Sequence, residues 1–381
     1  MRAPRLTAPS GIGLGVWANY TPPAAPPPPP NGDSPFAVGV WTNISPAGVP
    51  FVTSSFTQGM SVDFLNPGTI YCCITAAEGA GTSLKGIWKT TDYGANWVRN
   101  DDLDSPIRVK VDPSNSNRVY CVDGVAGSTF GFWRSLDGGS TWALPPGWSA
   151  NRTANNLTAD LYHVEIDPAD PAHLLVTAHS PWANAIYNGD SGIIESHDYG
   201  DTWTVIPPPR PGGGFQGGYN VFFVHDPQRG FGASNIWLFG TQGDGWYRST
   251  NSGASWTKVS DVDMDHGAGQ ICFTDDGTLW ASGNPSVLRS TDLGATWTEH
   301  TPDPFAGFLS IETDGVHVYS SKHFGGAMRR ANSNLPNAWS DVGTTPSEFS
   351  GSGAFEMIYD RTRHILYSAH TGAGIWARRL A

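Results

Sequence analysis

One eight-residue phrase recurs five times along this chain and constrains its fold more than any other feature. Each copy follows the pattern Ser/Thr-x-Asp-x-Gly-x-x-Trp, with Asn251 in the acidic position of the fourth copy; the copies are residues 90–97, 135–142, 196–203, 249–256 and 290–297. A tight β-hairpin explains the pattern, because the carboxylate accepts turn N–H groups, glycine adopts a positive φ and tryptophan buries its ring. The phrase returns every ~40 to 60 residues, about the length of a four-stranded propeller blade.

Short β-rich runs upstream of the repeats predict seven blades. Each blade would begin with two paired strands: 60–64 with 69–75, 107–112 with 118–122, 162–167 with 173–178, 219–225 with 235–240, 269–274 with 278–282, 308–313 with 316–321, and 354–360 with 364–369. The sixth blade lacks the repeat and the seventh lacks an outer strand. Because an unpaired sheet edge promotes aggregation, residues 36–45 are predicted to supply that strand and close the ring.

The repeat resembles the Asp-box, or BNR motif, of sialidases, xyloglucan-degrading propeller hydrolases, propeller polysaccharide lyases, sortilin-type receptors and a photosystem assembly factor. This resemblance implies an all-β, seven-bladed β-propeller over residues 36–381, with Asp-box hairpins on the outer side of each blade, away from the ligand face. Residues 1–35 are then an N-terminal extension with a proline-rich linker at 21–30. Since these families differ in chemistry, the box implies a fold and leaves the function open. Asp92, Asp137, Asp198 and Asp292 are accordingly predicted to be structural.

Composition limits the partners. The chain has a formal net charge of −12 and only 22 Lys and Arg residues, which argues against nucleic acid or an anionic membrane surface. No run approaches the ~20 apolar residues of a membrane span. We expect a monomer that is secreted or periplasmic, with the cytoplasm as the alternative because residues 1–15 lack the apolar core of a signal peptide. Cys72 and Cys121 hold equivalent positions in neighbouring blades, which leaves a cross-blade disulfide open.

The ligand site is predicted on one rim of the central channel. In a propeller, the loops that enter the innermost strand and those that leave the second strand open on the same face. The polar residues at these places are Glu78, Asp160, Tyr162, His163, His179, Tyr219, Asn220, Gln242, Asp265, His266, Asn284, His323, Glu348 and His370. Long loops at 148–161, 180–191 and 207–218 flank blades three and four and add Trp182 and Arg210.

Five histidines on this rim are the strongest functional signal, because imidazole serves as an acid, a base or a metal ligand near neutral pH. We predict His179, His266, His163 and Tyr219 as catalytic residues. The predicted substrate-binding residues are Asp160, Asn220, Gln242, Asn284, His323, His370, Trp182 and Arg210. A divalent cation at the histidine-rich rim is a further expectation, with its ligands unassigned. Structural hydrogen bonding is the alternative role for each histidine.

The residues favour a carbohydrate-active enzyme that cleaves a polysaccharide or oligosaccharide. The resemblance to sialidases implies an arginine cluster that holds the substrate carboxylate, with an arginine motif near the first inner strand. A sialidase is disfavoured because the matching segment 55–64 has no arginine and Arg108 in the next blade stands alone. A uronate-directed lyase needs a base and a cation or donor that neutralises the substrate carboxylate. The rim histidines with Tyr219, Arg152, Arg210 or Lys322 would supply these groups. The resemblance to propeller lyases that use His and Tyr favours this mechanism slightly. A glycoside hydrolase with a carboxyl pair from Asp160, Asp265, Glu78 and Glu348, and a non-catalytic glycan- or protein-binding propeller, are the alternatives.

Overall fold

Seven antiparallel sheets follow one another along the chain, and they confirm the predicted seven-bladed all-β propeller. The computed structural model describes residues 34–49, 55–76, 84–124, 128–178, 192–207, 218–264, 269–302, 307–322, 325–351 and 353–381. The predicted proline-rich linker at 21–30 lies outside these residues.

The strands are numbered in chain order. β1 (Trp41–Asn43) precedes the first blade, which consists of β2 (Ser55–Val62), β3 (Ile70–Ala76), β4 (Gly86–Thr90) and β5 (Val98–Asn100). Blade two contains β6 (Pro106–Val111), β7 (Val119–Asp123) and β8 (Gly131–Ser135). Blade three contains β9 (Leu161–Ile166), β10 (Leu174–Ala178), β11 (Ile193–Ser196) and β12 (Thr204–Ile206). Blade four contains β13 (Gly218–Asp226), β14 (Phe231–Thr241), β15 (Trp246–Ser249) and β16 (Thr257–Ser260).

The last three blades complete the ring. Blade five contains β17 (Ile271–Phe273), β18 (Leu279–Ala281), β19 (Val287–Ser290) and β20 (Thr298–His300). Blade six contains β21 (Phe308–Thr313), β22 (His317–Lys322), β23 (Arg329–Asn332) and β24 (Ser340–Asp341), so it keeps four strands without the repeat. A short 3-10 helix (Ser347–Phe349) leads to blade seven, which contains β25 (Ala354–Asp360), β26 (Ile365–His370) and β27 (Gly374–Arg379). The first strand of each blade lies innermost, around the central channel.

The predicted ring closure is confirmed. β1 pairs antiparallel with β27, and Trp41, Thr42 and Asn43 lie opposite Arg378, Ala377 and Trp376. Trp41 also packs edge-on against Phe349 at 5.4 Å between ring centroids, and its Nε1 donates to the Val342 carbonyl oxygen at 3.2 Å. A strand from the start of the described chain therefore completes the last blade.

The hairpin chemistry predicted for the repeat is present in blade two. Asp137 Oδ1 accepts hydrogen bonds from Thr141 N and Ser135 Oγ, both at 2.8 Å, and Oδ2 accepts from Thr141 Oγ1 at 2.7 Å. Gly139 has a φ of +85°, which the turn requires. In blade four the amide oxygen of Asn251 takes the carboxylate's place and accepts from Ser255 N at 2.9 Å.

We expect Asp137→Ala to lower the free energy of unfolding by about 1 to 3 kcal/mol, because the turn loses three acceptor contacts. Asp137→Asn is the matched control and should cost much less, since blade four uses asparagine in the same geometry. Chemical denaturation of both variants checks this. Equal losses for the two variants would contradict the hydrogen-bond explanation.

Neighbouring blades are joined by a recurring contact that we call the seam tie. A basic residue just before the repeat of one blade donates to a carbonyl in the repeat turn of the next blade. The donor and acceptor pairs are Lys89 Nζ with Gly138 O at 2.8 Å, Arg134 NH1 with Tyr199 O at 2.8 Å, and Arg248 Nε with Leu293 O at 2.8 Å. The apolar core fills the same seams; one cluster combines Tyr120 and Phe132 of blade two with Val164 and Leu174 of blade three.

Residues 148–161 were expected to form a loop, and this prediction is wrong in part. An α-helix, α1 (Pro146–Asn155), follows blade two, with Pro146 in its first turn and Asn156 in the left-handed conformation at its end. Trp148 is buried against Trp203, with 6.0 Å between ring centroids. The helix packs where blade two meets the repeat of blade three, and Asn151 Nδ2 donates to the Trp203 carbonyl oxygen at 2.7 Å. Among the described residues, the three-stranded sheet of blade two is extended only by a bridge between Arg134 and Ala143.

The cysteines are all free and buried, so the cross-blade disulfide left open between Cys72 and Cys121 is not formed. Cys121 instead has Cys73 as its side-chain neighbour. In the part of the chain that the structure describes, no helix has the length and apolar character of a membrane span.

Candidate functional site

Many predicted rim residues fall outside the described part of the chain. These are Glu78, His179, Trp182, Arg210, Asp265, His266 and His323. Tyr219 lies in β13, but its side chain is likewise not described. The predicted roles of these residues, and the predicted cation at the rim, therefore stay predictions.

Two predicted histidines turn into the protein instead of projecting onto the rim. His163 is 1% exposed and packs against Phe222 at 5.2 Å between ring centroids. Burial, with Arg108 and Lys110 nearby, holds the pKa of His163 well below its usual value, so its imidazole is neutral. His370 is completely buried, stacked on Phe349 at 3.8 Å. The predicted projection of both side chains is wrong because each finds its contacts inside the fold.

The other described candidates lie at the predicted ends of the strands. Asp160 precedes β9 and is half-buried, whereas Gln242 and Asn284 are exposed beyond β14 and β18. Asn220 is buried at the start of β13, and its Nδ2 donates to the Gly269 carbonyl oxygen at 3.1 Å. It joins blades four and five.

Blade two carries a pair of carboxyl groups on the same rim that sequence reasoning missed. Thr129 Oγ1 lies 2.7 Å from Asp104 Oδ1 and 2.8 Å from Asp123 Oδ2. Burial raises the pKa of Asp123 to about 7; burial also opposes the charge on Asp104, but hydrogen bonds from Thr129 and Ser128 lower its pKa to about 2. Asp123 is completely buried, so this pair holds the loop at 128–129 and offers no open acid to a substrate.

The channel itself contains a cluster of charged side chains from the inner strands. Glu356 Oε1 lies 3.1 Å from both Arg108 NH1 and Lys110 Nζ, and its Oε2 accepts from Met60 N at 2.7 Å. Arg108 and Glu356 are at most 1% exposed, and the guanidinium also lies 5.1 Å from the Phe355 ring. β-bulges near the start of β6 and β25 precede Arg108 and Glu356 and redirect these side chains.

The channel carboxyls differ in their protonation. Burial raises the pKa of Glu165 to about 7, although Lys110 and Arg108 oppose the shift. Burial raises the pKa of Glu312 to about 7 as well. Burial also disfavours the charge on Glu356, but Arg108 and Lys110 outweigh it and hold its pKa below the usual value. Near neutral pH the channel thus contains protonated and ionised carboxyls together.

A cavity of about 300 Å³ gives access to these groups. Its polar lining includes Lys110, Glu165, Gln270, Glu312 and Glu356. Pro113 and Pro168, in turns between first and second strands, also line it, so the cavity extends toward the face opposite the predicted rim. Sequence signals for this site existed, because charged residues interrupt otherwise apolar inner strands at Arg108, Lys110 and Glu165.

Comparison with known proteins places the chain near xyloglucanases. No protein-family model matches it. A Paenibacillus protein named xyloglucanase is 26% identical over 330 residues, covering 76% of this chain and 29% of that protein. Xyloglucanases of Hypocrea jecorina and Acetivibrio thermocellus are 27% and 25% identical, over 56% and 68% of this chain and 27% and 31% of those proteins. The chain spans less than a third of these three relatives.

Solved structures share the fold. The GH74 xyloglucanase from Xanthomonas campestris superposes with a TM-score of 0.62 at 17% identity, over 90% of this chain and 53% of that chain. A structure described as YCF48 bound to D1 peptide gives a TM-score of 0.58 at 14% identity, over 90% of this chain and 97% of that one. The chain is thus a seven-bladed propeller similar to xyloglucanases and about the size of YCF48.

Proposed function

We propose that this propeller is a glycoside hydrolase acting on a glucan of the xyloglucan class. The observation that carries the proposal is the similarity to three proteins named xyloglucanase over 56%, 68% and 76% of the chain. The predicted uronate-directed lyase has less support, since its histidine constellation includes His163, which is buried and neutral.

Hydrolysis of a glycosidic bond by two carboxyl groups needs one that holds a proton and one that is ionised. Among the described residues, Glu165 fits the proton-holding role, since its pKa is raised to about 7 and it lines the cavity. Glu165 has 23% of its side chain exposed and would act as the general acid. Glu356 is completely buried between two cations, so it holds Arg108 and Lys110 in place and offers no open carboxylate to the sugar ring. A cavity of about 300 Å³ suits a terminal or side-chain sugar better than the middle of a polymer.

The test measures reducing ends released from xyloglucan by the purified chain, beside ultraviolet absorbance from unsaturated uronates on acidic polysaccharides. We expect reducing ends only. Glu165→Gln keeps the side-chain shape and should lower turnover by ~100-fold, the usual effect of losing a general acid, with an unchanged melting temperature.

Glu348→Gln is the matched variant, because Glu348 is an exposed carboxylate of the predicted rim and does not line the cavity. It should keep full turnover. If Glu348→Gln lost turnover and Glu165→Gln kept it, the catalytic residues would lie on the predicted rim and not in the channel cavity. Ultraviolet absorbance from an unsaturated uronate product would support the uronate-directed lyase instead of the hydrolase.

A peptide-binding propeller is the second candidate. It is favoured by one observation: the chain covers 97% of YCF48, described as bound to D1 peptide, but only 53% of the GH74 xyloglucanase. Saturable binding of glycan or peptide without any product would support this candidate over the hydrolase.

A further inference from the structure

Three side chains of blade three converge on the face that carries the repeat turns. His173 precedes β10, Glu195 lies in β11 and His197 lies in the repeat turn. His173 Nε2 is 2.9 Å and His197 Nε2 is 3.2 Å from the same Glu195 oxygen, Oε1. One potential ligand atom from each residue lies within 4.8 Å of the others. The face is opposite the predicted rim, and the group does not line the channel cavity.

Glu195 departs from the pattern of the other blades. Its position, just before the repeat, holds Lys89, Arg134, Arg248 and Arg289 elsewhere. Three of these residues make the seam tie to the next blade. A carboxylate cannot donate that hydrogen bond, so Glu195 gives up the tie to blade four and faces two imidazoles instead.

His197 departs from the pattern at the second position of the repeat. The other copies have Thr91, Leu136, Thr250 and Thr291 there. Blade three therefore differs from its neighbours at two positions, and both differences supply groups that bind metals. If the position of Glu195 served only to join blades three and four, a basic residue that makes the seam tie would be expected there.

The buried carboxylate of Asp167 orients the His173 ring. His173 Nδ1 lies 3.3 Å from Asp167 Oδ2, and Asp167 is completely buried and accepts from Ala169 N at 2.9 Å. The His173 ring also packs edge-on against Phe223 at 4.7 Å. The contact with Asp167 at Nδ1 directs Nε2 of His173 toward Glu195. A carboxylate on the nitrogen that does not bind the metal is a common partner of a metal-binding histidine.

We propose that His173, Glu195 and His197 bind one divalent transition-metal ion of the zinc class. The ligands are two imidazole Nε2 atoms and one carboxylate oxygen, a set that zinc accepts, with the fourth tetrahedral position left for water or another ligand. With bonds of ~2.0 to 2.2 Å, tetrahedral ligands lie roughly 3.3 to 3.6 Å apart. The distances of 2.9 and 3.2 Å from Glu195 Oε1 to the two Nε2 atoms need a small outward shift, and the stacked imidazole rings, 4.2 Å between centroids, need the exposed His197 ring to turn toward the ion.

A protonated His173 is the alternative occupant of this arrangement. Burial opposes a charge on its ring, but the hydrogen bonds that the ring donates to the Asp167 and Glu195 carboxylates outweigh burial and raise its pKa to about 9. Such an ion triad uses the same atoms without a metal, and metal uptake distinguishes the two states.

The test is zinc titration of the full chain, freed of any affinity tag, by calorimetry and by metal analysis after dialysis. We expect one equivalent of zinc per chain and a cobalt-substituted form with tetrahedral ligand-field absorption. His197→Ala should weaken zinc binding by tenfold or more, since a ligand is lost. His197 is 65% exposed, so this variant should fold normally, as its melting temperature will show.

His300→Ala is the matched control, because His300 contacts Asn337 and belongs to blade five. It should bind zinc like the parent chain. Absence of stoichiometric zinc in the parent chain, or equal affinity in His197→Ala, would overturn the metal site and leave the protonated triad. Since these readouts do not involve glycan turnover, they remain decisive if the proposed hydrolase fails.

Discussion

Glu356→Ala should lower the free energy of unfolding by about 3 to 5 kcal/mol, the scale for breaking a buried ion pair. The substitution leaves the Arg108 guanidinium, 1% exposed, without its carboxylate, and it also removes the acceptor for Met60 N. The cost arises mainly because the buried guanidinium loses the carboxylate that offsets its positive charge. Chemical denaturation measures it directly.

Two further variants distinguish the cost of the buried Arg108 charge from the cost of losing side-chain packing at position 356. Glu348→Ala removes an exposed carboxylate and should change stability by less than about 0.5 kcal/mol. The double variant Arg108→Met with Glu356→Leu should be more stable than Glu356→Ala alone, since the buried guanidinium charge is removed together with its carboxylate. A double variant that is as unstable as Glu356→Ala would show that packing, and not charge, sets the cost.

Removal of residues 1–45 should abolish the soluble monomer. The deletion takes away β1 and leaves β27 as an exposed edge, with Trp376 and Ile375 beside it. It also removes Ile44, whose carbonyl oxygen accepts from Trp97 Nε1 at 2.8 Å and so connects the closing segment to blade one. Size-exclusion chromatography should detect aggregates or strand-exchanged oligomers.

Removal of residues 1–30 is the control, because it leaves the predicted closing segment 36–45 intact. This shorter chain should stay monomeric, with a melting temperature close to that of the parent. A stable monomer from the longer deletion would contradict the closing role of β1.

The fold could be predicted from the sequence because each blade repeats the same local chemistry. Asp137 and Gly139 are sufficient to identify a turn, and the spacing of such turns identifies a blade. Helix α1 could not be predicted, since Pro146, Gly147 and two asparagines make its sequence a poor helix former. Burial of Trp148 against the blade overrides that local preference.

The channel site was missed for a different reason. Alternation along a strand shows which residues share a face, but not whether that face meets solvent, a neighbouring blade or a channel. Glu165 and Glu356 therefore read as ordinary polar strand positions. His163 and His370 were predicted to project onto the rim, but both are buried. A polar residue at a strand end can find its hydrogen-bond partner inside the fold, as His370 does with Ser368 Oγ at 2.6 Å.

The order of synthesis gives the closing strand a special history. Ser45 and Ile375, which hydrogen-bond beside it, are 330 residues apart, so the ribosome makes β1 before any blade and its partner only after the rest of the ring. Until then, Ile44 can already contact blade one, but Trp41 must wait for Phe349 and the Val342 carbonyl oxygen, which are made near the end of the chain. Blades one to six have time to form one by one, whereas ring closure must wait for the last blade. Chaperone dependence and translation-arrest sensitivity are therefore expected to concentrate at this one late step.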